Sequence, residues 1–188
     1  MDSGHMVEAL STPLFKKHFL GFLFSDALSL LRKEHDYLDF YVINTNHVFG
    51  EHWFTCVRGR TKWIIFDCSA FTPKEYHDGL KEILSKEAPV VFDCSQLQRP
   101  TSLSCGPHVL SFLYFFFKTK MKRNLSYPVN YYSKKLLKFC RMNEIFPDIF
   151  VHHLVYDSSI FEIKMKNEKT VNIWLKHFQY WLVPNYLG

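Results

Sequence analysis

The chain has 188 residues and 22.4 kDa, with 47% hydrophobic and 22% charged side chains, which excludes a disordered polymer. At this length about 70% of the unfolded surface can be buried, so one domain over residues 1–188 needs neither disulfide nor metal support. The net charge is +5, aromatic content is 18%, and only 7 Gly and 8 Pro exclude collagen-like or low-complexity sequence.

The opening MDSGHM is given no structural role. The first apolar cluster, Leu14 to Phe24, contains Lys16, Lys17 and His18, so no secretory leader is expected. Ser25 to His35 reads as a short helix with Ser25 or Asp26 as its cap. Asp39 to Asn44 (DFYVIN) is aromatic and β-branched and reads as a strand; Asn44 to Glu51 is turn-like. His52 to Val57 and Lys62 to Phe66 predict a hairpin across RGR, with Gly59 in the turn. Pro73 to Glu87 has the polarity and N-terminal signals of an exposed helix, and Ala88 to Asp93 reads as a third strand. Gln96 to Ser104 is a loop around Pro100. Pro107 to Phe117 is apolar almost all round and predicts a buried helix. Its apolar run, Val109 to Phe117, is nine residues long, short of the roughly 20 that cross a bilayer, so no membrane partner is expected. Tyr131 to Arg141 looks helical, and Asn172 to Leu182 reads as a closing helix. The expectation is an α+β fold, an antiparallel sheet between an N-terminal helix and a buried helix.

Five cysteines (Cys56, Cys68, Cys94, Cys105, Cys140) without a CxxC pair fit reduced thiols in an intracellular setting better than a disulfide framework or a zinc site. Between Lys118 and Arg141 stand eight basic residues and no acid: Lys118, Lys120, Lys122, Arg123, Lys134, Lys135, Lys138 and Arg141. This local +8 leaves the rest of the chain at −3. Such a stretch is a candidate polyanion-binding surface, or equally a solvated connection after a buried helix.

Chemistry concentrates elsewhere. Cys105 lies in SLSCGPH, immediately before the apolar helix. There the positive end of the helix dipole and unpaired N–H groups favour a thiolate. Taken alone, the segment favours a small residue tucked against a helix start over a nucleophile. His52 opens a predicted strand in GEHW, and Asp67 closes the next one in IIFDCS. Pairing across RGR brings both to one open end of the hairpin, where a carboxylate can orient an imidazole whose other nitrogen faces a thiol. Gln98, seven residues before Cys105, is placed to donate its amide N–H to a developing oxyanion, a contact typically worth about 3–4 kcal/mol. Gln96 is too close for sequence logic to separate from it. His152 and His153, with Asp157 after them, suggest a metal, but adjacent histidines on a strand face opposite ways, which favours structural roles.

The order GxHW, a strand ending in an acid, then Gln-x6-Cys-Gly before an apolar helix resembles the adenovirus-type cysteine proteases (adenain-like). INTNHVFGEHWFTCV is most similar to the versions in Maverick/Polinton and adintovirus-type elements. The resemblance spans about Asp39 to Phe117, under half the chain. It implies a papain-like or adenain-like fold with His52 as general base, Asp67 as orienting acid and Cys105 as nucleophile. Gln98 and the Cys105 backbone would form the oxyanion hole, with Trp53 and Gly106 supporting the site. No cofactor is required. An activating viral peptide and DNA are partners by family resemblance; the substrates would be viral capsid or core precursors cut at Gly-containing sites during virion maturation. A monomer in the host nucleus and virion follows from the same likeness. Adenoviral members commonly carry Glu where this chain has Asp67. Pro107 removes one N–H, leaving Cys105 and Gly106 as backbone donors, and Cys94 is the nearest but ill-placed match to the peptide-linking cysteine. SUMO- or ubiquitin-like-specific proteases share the motif order. A non-enzymatic alternative is a basic nucleic-acid-binding module that uses Lys118–Arg141, with Tyr127, Tyr131 and Tyr132 for stacking.

Overall fold

The computed structural model describes residues 3–24, 28–31, 34–45, 52–69, 74–118, 130–142 and 144–156. A helix α1 (Ser3–Leu10) precedes the first strand β1 (Phe19–Phe24), and a single 3-10 turn (Leu28–Leu30) precedes β2 (Phe40–Asn44). Strands β3 (Trp53–Arg58) and β4 (Trp63–Asp67) follow, then α2 (Lys74–Leu84), β5 (Val90–Cys94), α3 (Cys105–Lys118), α4 (Tyr131–Met142) and α5 (Pro147–Tyr156).

The strands form one sheet in the order β1-β2-β3-β4-β5. β2 with β3 and β3 with β4 are antiparallel, as the hairpin reading requires. The outer pairs, β1 with β2 and β4 with β5, are parallel, so the sheet is mixed and the antiparallel expectation is corrected. The cause is visible between β4 and β5: the connection contains α2, which crosses a face of the sheet and returns the chain to the end where β4 began. In the β3–β4 turn, the Gly59 N–H donates to the Lys62 carbonyl at 2.9 Å. A Cβ on Gly59 would lie 3.0 Å from that oxygen and 3.1 Å from Ile64 Cδ1, so glycine relieves a squeeze.

Alternation sends Phe40, Val42, Trp53, Val57, Ile64 and Phe66 into a core shared with α3. Tyr41, Ile43, Phe54, Cys56, Trp63 and Ile65 go to the other face, under Leu80 and Leu84 of α2. With both faces covered, the three central strands are buried at every position but Arg58, which explains their near-continuous apolar spelling. Phe66 stacks on Phe112 of α3 at 4.4 Å between centroids.

Two helices were illegible from the sequence. Residues from Ser3 onward are helical, and Met6, Ala9 and Leu10 are buried, so the opening segment is part of the core. The His152–His153 pair falls within α5, which corrects the strand reading; α5 buries Phe150, Val151, Leu154 and Val155. Ser25 to His35 supplies only the 3-10 turn among the described residues, and Asp157 and the Asn172–Leu182 segment lie outside them. No described helix is long and apolar enough to cross a membrane.

Candidate active site

Continuing the β3–β4 register from Thr55↔Phe66 sets Asp67 opposite Phe54, on the same face as His52 two residues along. That diagonal relation lets the side chains meet. His52 Nε2 lies 2.8 Å from Asp67 Oδ1. The Thr45 N–H donates to the His52 carbonyl at 3.0 Å, so the β2 side of the sheet holds the histidine backbone. Cys105 is the first residue of α3: the Ser104 carbonyl accepts the first helical bond, from His108 N at 3.0 Å. Trp53 packs with Cys105 and α3 in the core on that side, and its ring meets Phe22 edge-on at 5.6 Å.

The imidazole of His52 also hydrogen-bonds the Cys105 thiol. Because Nε2 faces Asp67, Nδ1 is the nitrogen left for the sulfur. Burial acts to lower the His52 pKa, but Asp67 and Cys105 together override it and raise the group to about 9. Burial likewise pushes the Cys105 thiol up. The His52 hydrogen bond and charge, with N–H donation from Trp53 and Gly106, outweigh it and hold the thiol below its ordinary value. The opposed shifts favour a thiolate–imidazolium pair. The other thiols go the other way: burial lifts Cys56 and Cys140 to about 12, and also raises Cys68 and Cys94.

Asp67 is fully buried, and its carboxylate accepts hydrogen bonds from groups on both sides. Besides His52, the Ser69 N–H donates to Oδ1 at 2.8 Å, and His77 of α2 meets Oδ2 through Nε2 at 2.9 Å. His77 went unnoticed in the sequence, because a lone histidine on a polar helix has no local signature.

The structure separates the two glutamines. Gln98 is buried, while Gln96 is exposed and donates through Nε2 to the Gln98 carbonyl. The Gln98 amide donates through Nε2 to the Ser102 carbonyl at 2.5 Å and accepts at Oε1 from the Cys68 thiol at 3.3 Å. Behind this loop stands a second cluster, also missed. Asp148 of α5 accepts from Arg99 N at 3.0 Å and Arg99 Nε at 3.1 Å, and its other oxygen meets His108 Nε2 at 3.1 Å. Pro147-Asp148 spells a helix start, but nothing local in the sequence sets that carboxylate against the Arg99 loop.

Among the described residues, His52, Asp67 and Cys68 bring metal-ligand atoms within 4.8 Å of one another. The 2.8 Å between His52 and Asp67 is hydrogen-bond contact, shorter than the roughly 3.3 Å edge that tetrahedral zinc bonds of about 2.0–2.1 Å impose. Two of the three atoms are thus joined by a hydrogen bond, and the Cys68 thiol is engaged by Gln98 instead. Of the basic stretch, Lys134, Lys138 and Arg141 are exposed on α4 and Lys135 is half-buried. Lys120, Lys122 and Arg123 lie outside the described residues, as does Tyr127, and the Lys118 side chain is likewise not described. Tyr132 cannot stack on a base: it is fully buried, with its hydroxyl 2.7 Å from Ser111 Oγ and its ring against Phe112 and Phe115. The α4 terminus that carries it is fixed by Asp93, which accepts from Tyr132 N at 2.8 Å and Ser133 N at 3.2 Å. Cys94, on β5, is half-buried, and its thiol points to the Ile65 carbonyl.

No model of a known protein family matches this sequence, and no curated protein matches it.

Proposed function

We propose that the chain is a cysteine endopeptidase of viral or virus-like origin, with an adenain-like fold, that cuts capsid or core precursor proteins at Gly-containing sites during virion maturation. The observation that carries the enzymatic part is the chain of contacts from Asp67 through His52 to Cys105, with the imidazole raised to about 9 and the thiol lowered. The substrate class and the viral setting rest on the GEHW and Gln-x6-Cys-Gly resemblance.

In this mechanism the Cys105 thiolate attacks a peptide carbonyl. Negative charge moves to the carbonyl oxygen, where the Cys105 backbone N–H and the second N–H of the Gln98 amide receive it. His52, protonated at Nδ1, gives that proton to the leaving amine as the C–N bond breaks. An acyl-enzyme remains on Cys105. Neutral His52 then takes a proton from water, the hydroxide attacks the thioester, and the thiolate leaves as the acid product forms. Asp67 holds the ring orientation throughout. Lys134, Lys138 and Arg141 on one side of α4 would serve DNA as a second ligand, confining the enzyme to a packaged genome.

The test is a Cys105→Ala variant assayed on a Gly-Gly-containing fluorogenic peptide. Cleavage falls at least about a thousandfold if the reading is right, and retained cleavage overturns it. A ubiquitin-like propargylamide probe that labelled Cys105 efficiently would replace the precursor-processing role with deconjugation.

A further inference from the structure

The acid and the oxyanion glutamine have a common neighbour. Cys68 directly follows Asp67 and is fully buried. Its carbonyl accepts from both Leu97 N and Gln98 N at 3.0 Å, and its thiol donates to Gln98 Oε1 at 3.3 Å. One residue thus binds the Gln98 segment by main chain and side chain together. From the geometry we infer that Cys68 is a positioning residue for the oxyanion hole, fixing the Gln98 amide so that its NH2 end, not its oxygen, is presented to the reacting carbonyl.

The argument is one of donors and acceptors. The Ser102 carbonyl can only accept, so the nitrogen end of Gln98 must face it. The thiol is the donor that the oxygen end then requires. Burial, with the charges of Asp67 and Cys105 nearby, raises the Cys68 pKa well above its ordinary value, so the proton stays on the sulfur at any working pH. An amide flipped end for end would set oxygen against the Ser102 carbonyl, losing that bond outright, and leave Cys68 only the weak acceptor role of its sulfur. With Ser102 taking one N–H, the second remains for the substrate oxyanion. Without the thiol, Oε1 becomes a buried acceptor with no partner and the amide loses half of what holds it.

The inference rests on the proteolytic reading, and its test separates the two. Cys105 is challenged with two reagents in the full-length protein. Iodoacetamide forms an S–C bond and expels iodide without any oxyanion. p-Nitrophenyl acetate acylates the sulfur through a tetrahedral oxyanion and releases nitrophenolate. Modification at Cys105 is followed by peptide mass mapping. Cys68→Ala is expected to lower the ratio of acylation to alkylation about tenfold while the alkylation rate holds, and Cys68→Ser, whose hydroxyl also donates, restores the ratio to within about twofold. Gln98→Ala lowers it as far, and the double variant no further. Should Cys68→Ala not fold, Cys68→Val fills the space without a donor. A ratio unchanged by losing the thiol, or acylation and alkylation falling together, overturns the inference. If iodoacetamide in the wild-type protein does not select Cys105 at neutral pH, the proteolytic reading itself fails, and this inference with it.

Discussion

Two histidine–aspartate pairs flank Cys105, alike in composition and opposite in behaviour. His52 meets Asp67 at 2.8 Å, and His108 meets Asp148 at 3.1 Å. Both carboxylates are buried. Yet His52 is raised to about 9, whereas His108 is lowered, burial there outweighing the attraction of Asp148. The difference lies in the far nitrogen. His52 turns it to a thiol whose pKa is lowered, and part of its ring reaches solvent. His108 Nδ1 is buried with no partner, so nothing on that side repays a second proton. A buried carboxylate alone does not keep a histidine protonated; at His52 the thiol on the far nitrogen adds to Asp67 what burial takes away. The first pair is thereby suited to carry a proton, while the histidine of the second stays neutral and its aspartate ties α3 and the Arg99 loop to α5.

The largest test of that contrast is Asp67→Asn. Removing the charge takes away the main group raising His52, and cleavage of a Gly-containing peptide is expected to fall about 10²–10⁴-fold. The sign of the accompanying pH effect is fixed. Peptide cleavage needs imidazolium to protonate the amine, so wild-type kcat/KM declines as pH rises through about 9. In Asp67→Asn the decline moves to lower pH. An unmoved alkaline limb would mean that Asp67 does not act on His52.

Asp148→Ala should act on stability instead. It removes three hydrogen bonds to one buried carboxylate, for an expected loss of roughly 2–4 kcal/mol, read as a lowered urea midpoint. In the folded variant, the pH dependence of Cys105 alkylation should be retained. A shift in that titration would show that the second pair tunes the nucleophile.

The smallest effect is in the pH dependence of folding. His108 has a depressed folded pKa, so the unfolded chain gains a proton that the folded one refuses, and stability drops as pH falls below the ordinary histidine value. His52, raised when folded, contributes stability that is lost as pH climbs from 6.5 through about 9. His108→Gln removes the slope just below the ordinary histidine value, and leaves both the alkaline slope and the more acidic loss from the depressed carboxylates Glu87 and Asp148. Persistence of the slope just below the histidine value in thermal melts would assign it elsewhere.

The meeting of His52, Asp67 and Cys105 was legible because each sits at the end of an element with a strong local signal: an aromatic and β-branched hairpin for the first two, an apolar helix start for the third. His77, His108 and Asp148 were not. They come from different helices and face the site only through tertiary packing, and no residue spacing records that α2 covers one face of the sheet and α5 the flank of α3. Parallel pairing at the sheet edges was hidden for the same reason, since strand direction is set by where a connection crosses, not by the strand's own residues. Gln98 and Gln96 differ in burial alone, which depends on the bonds that the Cys68 carbonyl makes with the loop.

Asp148 lies 40 residues downstream of His108. During synthesis the hairpin and α3 therefore leave the ribosome well before the carboxylate that clamps Arg99 and His108. A growing polypeptide would hold cysteine, histidine and acid without the strut that steadies the loop between them. The order of the chain thus leaves the loop between β5 and α3 without its clamp until translation has passed α5.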